Sequence, residues 1–104
     1  MKCHWTRTAQ KELEKVVIYI TDNFGVTPAL RFIERIEQWD AWISENPEMA
    51  RIEPLLVSKK KRIYRSIVIQ PYSKLIIYTD SKGTHIAAIW DMRQSPKTLI
   101  KKLR

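Results

Sequence analysis

The first half of the chain is organised by the segment TRTAQKELEKVVIYITDNFGVTP, residues 6–28. Its apolar residues recur at helical spacing, which predicts an amphipathic helix that starts at Arg7 with Thr6 as its cap. Gly25 is a natural stop, because glycine tolerates a left-handed backbone. Thr27-Pro28 then predicts a second helix, since a hydroxyl cap and a proline suit a first helical turn. The link is short, so the two helices are expected to pack as an antiparallel hairpin.

The second helix is expected to end at Asn46-Pro47, because proline disfavours a helical conformation in the residue before it. Its apolar stripe consists of Phe32, Ile33, Ile36, Trp39 and Ile43. Ahead of the hairpin, residues 2–6 suggest a short strand. Residues 47–62 read as an irregular loop that ends in a basic run.

The second half of the chain changes to strand-like patterns. Residues 63–69 are rich in β-branched side chains, and Pro71 ends this run. Residues 75–79 and 85–90 predict two further strands, joined by a turn at residues 80–84. Three consecutive strands with tight links predict an antiparallel meander.

Ser95-Pro96 predicts the start of a short C-terminal helix that runs to Arg104. The 104 residues are expected to form one domain, since domains run to roughly 100–200 residues. The predicted fold is α+β: an N-terminal strand and an antiparallel helical hairpin packed on a four-stranded, mainly antiparallel sheet, followed by the short C-terminal helix.

Composition excludes several classes of protein. Two glycines leave no Gly-rich phosphate loop, and a single cysteine, Cys3, excludes an internal disulfide and a cysteine-rich zinc site. The longest apolar runs have five residues, too few for a membrane helix, and no apolar signal region follows Met1. We therefore expect a cytoplasmic protein with no cofactor and no metal site.

Charge is distributed unevenly along the chain. Residues 1–55 carry seven basic and nine acidic side chains, a net charge of −2. Residues 56–104 carry twelve basic and two acidic side chains, a net charge of +10. This asymmetry suggests contact with nucleic acid or another anionic partner, although a merely solvated surface would carry the same charges.

The predicted strands are apolar on both faces, whereas a solvated sheet face should read as polar. The helical hairpin can cover one face only. The other face is expected to be covered by the C-terminal helix or by a partner protein.

Short sequence motifs occur in a fixed order along nearly the whole chain. They are Trp5-Thr6, Leu13-x-x-Val16-x-x-Tyr19-Ile20, Phe24-Gly25, Asn46-Pro47, Ile63-Tyr64-Arg65-Ser66, Tyr72-x-Lys74-Leu75-Ile76-Ile77-Tyr78 and Ile89-Trp90-Asp91-x-Arg93-Gln94-x-Pro96. Together, and with this order of elements, they resemble the RelE/ParE superfamily of toxins from bacterial type II toxin–antitoxin modules.

The resemblance implies a growth-inhibiting toxin, of a kind linked to plasmid stabilisation, that is held inactive by a cognate antitoxin. Antitoxins of this superfamily wrap the toxin with a helix and an extended segment, commonly acidic. RelE-like members cut messenger RNA on the ribosome without a metal, whereas ParE-like members inhibit DNA gyrase and lack the catalytic residues. An inactive, antitoxin-binding member is a third alternative.

By position, three basic residues correspond to those of the RelE pattern: Arg65, Lys74 and Arg93. Three cations that converged on one end of the sheet would hold a phosphate and its developing charge. The alternative is a set of surface ion pairs, in which Asp91 pairs with Arg93 or Arg65.

The chain departs from the nuclease pattern near its C-terminus, where RelE-like chains carry a catalytic Tyr or His. No Tyr or His follows His85 in this chain. The proton-transfer group of a nuclease would therefore be His85, Tyr72 or Glu53, and histidine has the ordinary pKa closest to neutrality. A solvated, structural role for His85 is the alternative.

The candidates for binding nucleic acid or another target are Lys59, Lys60, Lys61, Arg62, Trp90 and Gln94. The basic run could bind RNA phosphates without base-specific contacts, or it could be a solvated loop. Trp90 could stack on a base, or pack in the core between the sheet and a helix.

Overall fold

The computed structural model describes residues 1–57, 62–69, 73–93, 97, 100, 101 and 103. The elements are β1 (His4–Trp5), α1 (Arg7–Phe24), α2 (Val26–Glu45), β2 (Arg51–Ile52), β3 (Arg65–Ile69), β4 (Ser73–Asp80) and β5 (Gly83–Asp91), with short 3₁₀ helices at Pro47–Met49 and Pro54–Leu56. The sheet order is β1-β5-β4-β3-β2, and among these described strands only the β1–β5 pair is parallel. The predicted α+β fold, a helical hairpin on a mainly antiparallel sheet, is confirmed.

The hairpin begins and turns at the residues that the sequence indicated. The Thr6 hydroxyl accepts a hydrogen bond from the Ala9 amide at 3.1 Å, so Thr6 caps α1. Gly25 has a φ of +100°, a left-handed value that favours glycine, and it separates the two helices alone. Because one glycine completes the reversal, α2 starts at Val26, and Thr27 lies inside its first turn rather than capping it.

The sheet has a fifth strand that the sequence did not indicate. Arg51 pairs with Ser66 and Ile52 with Arg65, so β2 extends the sheet beyond β3. This pair of residues lies within the segment that was expected to be irregular. A strand of two residues is too short to show the alternation from which strands are predicted.

A β-bulge between β4 and β5 sets which side chains share a face. Ile76 pairs with Ala88 and Ile77 with Ile86, so Ala87 is the extra residue. Ile77 and Ile86 belong to the core under the helices, whereas Ile76, Ala87 and Ala88 belong to the cluster on the opposite face. The bulge therefore resets the alternation of β5 halfway along the strand.

Two apolar clusters sandwich the sheet. The first lies under the helical hairpin and includes Phe32, Ile36 and Ile43 of α2. The second contains Leu56, Tyr64, Ile76, Tyr78, Ala87, Ala88 and Trp90. Ile100 and Leu103 pack against this second cluster, so part of the C-terminal segment covers the face left open by the hairpin. The expected C-terminal helix otherwise falls largely on residues outside the described ones.

A buried carboxylate joins the N-terminal strand to the hairpin. Asp40 of α2 is 1% exposed, and its oxygens accept from the Lys2 amide at 2.6 Å, the Cys3 amide at 3.2 Å and the Trp5 indole at 2.8 Å. Burial and the neighbouring Asp40 carboxylate raise the pKa of the Cys3 thiol to about 12. Cys3 is therefore an unreactive packing residue.

None of the helices in the described part of the chain combines the length and the apolar character needed to cross a membrane.

Asp40→Ala is expected to lower the free energy of unfolding by about 2–4 kcal/mol, because one buried donor and two partly buried donors lose their acceptor. Urea denaturation measures the change. Asp22→Ala, on the exposed side of α1, is the matched control and should change stability by less than about 0.5 kcal/mol. Equal effects of the two substitutions would show that Asp40 does not hold β1 against α2.

Candidate functional site

Arg65 lies at the start of β3 on the helix-facing side of the sheet. It alternates with Ile67 and Ile69, which belong to the core under the helices. Its Nη1 donates to the Ala50 carbonyl at 2.8 Å and to the Glu48 carbonyl at 3.3 Å. The guanidinium therefore holds the chain that leads from the 3₁₀ helix Pro47–Met49 into β2.

Lys74 lies on the opposite face of the sheet. Its Nζ is 2.6 Å from Glu53 Oε1 and 5.7 Å from the centroid of the Trp90 ring. Glu53 is fully buried, and its Oε2 also accepts from the Leu55 amide at 3.1 Å. Burial alone would raise the pKa of Glu53, but the hydrogen bonds from Lys74 and the Leu55 amide hold it below the usual value of 4.5. Lys74 and Glu53 thus form a buried ion pair that fixes the loop after β2.

Arg93 follows β5 and pairs with Asp91. The backbone amide of Arg93 and its Nε donate to Asp91 Oδ1 at 2.9 and 3.0 Å, and its Nη2 donates to Oδ2 at 2.8 Å. This is the Asp91–Arg93 pairing that the sequence left open as an alternative. The Arg93 side chain is 60% exposed, so the pair stands at the surface.

His85 lies at the far end of the second face. Its Nε2 is 2.8 Å from Asp80 Oδ1, and this hydrogen bond lowers the pKa of Asp80. Its ring stacks on Tyr78 with the centroids 4.6 Å apart, and the Arg62 guanidinium lies 4.0 Å from the centroid of the Tyr78 ring. His85 therefore belongs to a cation–aromatic stack near the β4–β5 turn.

The structure does not bring these four candidates together at one end of the sheet. Arg65 pairs with Ile77, which is three residues from Lys74 and on the other face, so Arg65 and Lys74 point to opposite sides. His85 pairs with Tyr78, four residues along β4 from Lys74. Four strand residues span about 13 Å. No single phosphate could contact all of these side chains.

The binding candidates are also dispersed. Arg62 is exposed and packs on Tyr78. Trp90 is 4% exposed within the second cluster, so the structure places it in the core, and its indole N–H has no hydrogen-bond partner among the described residues. Lys59, Lys60, Lys61 and Gln94 lie outside the described residues, as does Tyr72.

A groove of about 590 Å³ lies between the helical hairpin and the ends of β4 and β5. Its apolar lining includes Val16, Ile20, Phe32 and Ile89, and its charged lining consists of Glu12, Lys15, Arg35, Asp91 and Arg93. Tyr19 and Phe24 also line it and are 55% and 65% exposed. Sequence reasoning missed this groove. A signal in the sequence was the apolar stripe of α1, which extends from Ala9 to Phe24.

Among the described residues, no three His, Cys, Asp or Glu side chains lie close enough together to hold a metal ion.

The family model for the ParE toxin of type II toxin–antitoxin systems matches residues 3–96. The chain belongs to the ParE toxin family. This places it in the RelE/ParE superfamily, as the ordered sequence motifs indicated. Membership implies an antitoxin partner for this ParE-family toxin. A comparison with curated proteins finds no match.

Lys74→Met is expected to destabilise the toxin by about 3–5 kcal/mol at pH 7, because it leaves the Glu53 carboxylate buried without its cation. In the wild type the lowered pKa of Glu53 stabilises the fold above pH 4.5, and this stability is lost as the pH falls through the folded-state pKa. In the variant the pKa of Glu53 should rise instead. The deficit in unfolding free energy relative to the wild type should therefore become smaller from pH 7 towards pH 4.

Urea denaturation at both pH values measures this deficit. Lys82→Met, at an exposed lysine in the β4–β5 turn, is the matched control and should be near neutral. A deficit that is independent of pH would show that Glu53 is not the group left uncompensated.

Proposed function

We propose that this ParE-family toxin arrests growth by binding DNA gyrase, without catalysing a reaction of its own. The observation that carries the proposal is the separation of Arg65, Lys74, Arg93 and His85 over both faces and both ends of the sheet. Each of these side chains already has a structural partner within the chain.

The chemistry of metal-free RNA cleavage supports this choice. The reaction needs a proton acceptor for the 2′-OH and a proton donor for the leaving oxygen, and cations must surround the same phosphate. General acids and bases act within about 2.6–3.2 Å of the atom they serve. His85 lies about 13 Å along the sheet from Lys74, and Lys74 is committed to the buried Glu53. A toxin that acts by binding needs no such convergence.

Ribosome-dependent cleavage of messenger RNA is the second candidate, and the charge distribution favours it. Residues 56–104 carry a net charge of +10, and the run Lys59–Arg62 belongs to that half. If RNA were the target, the affinity for polyanions would fall steeply with salt, since each neutralised phosphate releases counterions.

Two assays on the unmodified toxin separate the candidates. In cells, induction without antitoxin should stop DNA synthesis before protein synthesis, as pulse labelling of both would show. In vitro, the purified toxin should inhibit supercoiling by DNA gyrase. Early arrest of translation, with supercoiling unaffected, would exclude the gyrase proposal and return Arg65 and Arg93 to the role of catalytic candidates.

His85→Gln should leave toxicity intact, because the proposal gives the imidazole no proton to transfer. His4→Gln is the matched control, since His4 lies beside His85, with ring centroids 5.0 Å apart, and has not been a catalytic candidate. Growth arrest after titrated induction is the measurement. Loss of toxicity in His85→Gln alone, with its thermal unfolding unchanged, would support the nuclease instead.

A further inference from the structure

Charge differs between the two layers of the molecule. Helices α1 and α2 carry five basic and seven acidic side chains, a net charge of −2. The second face is the side of the sheet that carries the second cluster, away from the hairpin. Two described carboxylates lie on it, Glu53 and Asp80, and both are paired, with Lys74 and His85. The carboxylates that would repel a polyanion are therefore concentrated in the helical layer.

Exposed cations lie on the second face and at its rim. Arg62 packs over Tyr78, and Lys101 belongs to the C-terminal segment that packs against the second cluster. Arg51 pairs with Ser66 across β2 and β3, which places both side chains on the same face. These three cations are exposed, and none of them forms an ion pair with a described residue. Their charge is available to an anionic partner.

Arg62 is positioned by an aromatic ladder that crosses three neighbouring strands. His4 of β1 pairs with His85 of β5, and His85 pairs with Tyr78 of β4. The ring centroids of these two pairs are 5.0 and 4.6 Å apart. The Arg62 guanidinium lies 4.0 Å from the Tyr78 centroid and covers the ring face that His85 leaves free. A stacked guanidinium directs its N–H groups outwards from a fixed plane, which suits it to bind a phosphate.

The charge of Arg62 is not neutralised at contact distance. An interaction with the Tyr64 side chain raises the pKa of Arg62, and Asp80 adds to this effect from further away. The Asp80 carboxylate is itself held by His85 and by the Lys82 amide, which donate to its Oδ1 at 2.8 Å each. Arg62 is therefore charged, exposed and fixed in orientation.

The large aromatic rings of this face are already occupied. Tyr64, Tyr78 and Trp90 are all buried. Single-stranded RNA is recognised largely by stacking its unpaired bases on accessible aromatic rings. A duplex keeps its bases stacked inside and presents its phosphates to the protein. Among the described residues, this face offers cations and no accessible Tyr or Trp ring, so its chemistry fits a duplex better than a single strand.

We propose that the second face binds the phosphate backbone of duplex DNA through Arg62, Arg51 and Lys101. The contact is independent of base sequence, because phosphates carry none. The duplex is the DNA segment that gyrase holds, so this setting rests on the proposed function. The toxin presents its basic face to the DNA and its helical layer, with a net charge of −2, to the opposite side.

Nucleic-acid binding by the free toxin tests the surface without gyrase. The probes are a labelled short DNA duplex and a single-stranded RNA of the same length and base sequence, each followed by fluorescence anisotropy over a salt series. The toxin should bind the duplex more tightly, with an affinity that falls steeply as salt is raised. Tighter binding of the single strand would overturn the assignment to duplex DNA, and so would the absence of duplex binding.

Single substitutions test which cations make the contact. Arg62→Gln, Arg51→Gln and Lys101→Gln should each weaken duplex binding by about two- to fivefold at physiological salt. Each should also reduce the slope of log affinity against log salt by about 0.9, the value for one phosphate contact. Arg62→Lys keeps the charge and should keep the slope. The matched controls are Lys11→Gln and Arg31→Gln, exposed cations of the helical layer, which should leave the slope unchanged.

Equal effects of the two sets of variants would show that the net charge acts and not the second face, and would overturn the proposal. Thermal unfolding of every variant separates lost binding from lost folding. If Arg62→Gln unfolds early because it leaves Tyr78 uncovered, Lys101→Gln still decides the matter, since Lys101 is exposed and takes no part in the ladder.

Supercoiling by DNA gyrase connects this surface to the proposed function. The double variant Arg62→Gln/Lys101→Gln should bind DNA-free gyrase as tightly as the wild type, but should need a higher concentration to inhibit supercoiling. A wild-type toxin that binds the duplex and leaves supercoiling unaffected would contradict the proposed function alone. Equal inhibition by the wild type and the double variant would contradict the DNA contact and leave the proposed function intact.

Discussion

The carboxylate of Asp40 is the contact on which the arrangement of this toxin depends. It accepts hydrogen bonds from the backbone of residues 2 and 3 and from the Trp5 indole, so it holds the N-terminal strand against the second helix. That strand is only two residues long and pairs in parallel with β5. Two residues of pairing could not by themselves fix where the first helix begins. The buried acceptor supplies the missing constraint, because leaving the buried Cys3 amide and the two partly buried donors unpaired would be costly.

The path of α1 follows from that anchor. Thr6 caps the helix through its hydroxyl oxygen and donates the same hydroxyl to β5, so the helix starts in register with the sheet edge. One and a half turns later, Glu12 reaches the Ile89 amide. The groove is the space left where the hairpin extends past the ends of β4 and β5. The placement of the first helix therefore determines three features: the uncovered edge of β5, the contact between Glu12 and the Ile89 amide, and the groove.

The bulge at Ala87 makes the two faces of the sheet chemically different. By resetting the alternation of β5, it directs Ile89 towards the helices and Trp90 to the opposite face. Asp91, and with it the paired Arg93, consequently lines the groove, while Lys74 lies over Trp90 and joins the buried Glu53. Lys74 and Arg93 belong to neighbouring strands, but they thus lie on opposite faces of the sheet. This geometry supports the proposal that the toxin acts by binding its target.

Local sequence was sufficient for the helical hairpin, the three-stranded meander and the family. A capping threonine, a glycine that takes a positive φ, and prolines at element ends act on their nearest neighbours, so the hairpin and the meander could be predicted from residues such as Thr6 and Gly25. The ordered sequence motifs indicated the toxin superfamily, in agreement with the family model that matches residues 3–96. The short strand β2 escaped prediction because two residues show no period.

Only the tertiary structure decided the contacts between residues far apart in the chain. The Asp40 anchor, the Lys74–Glu53 pair and the Glu12–Ile89 contact join residues 35 or more, 21 and 77 positions apart. Which face a strand residue occupies depends on register, and a single bulge changes it for every residue that follows. The sequence could therefore nominate Arg65, Lys74, Arg93 and His85 as functional side chains, but not determine whether they meet. That depends on pairing across the sheet, which no local pattern encodes.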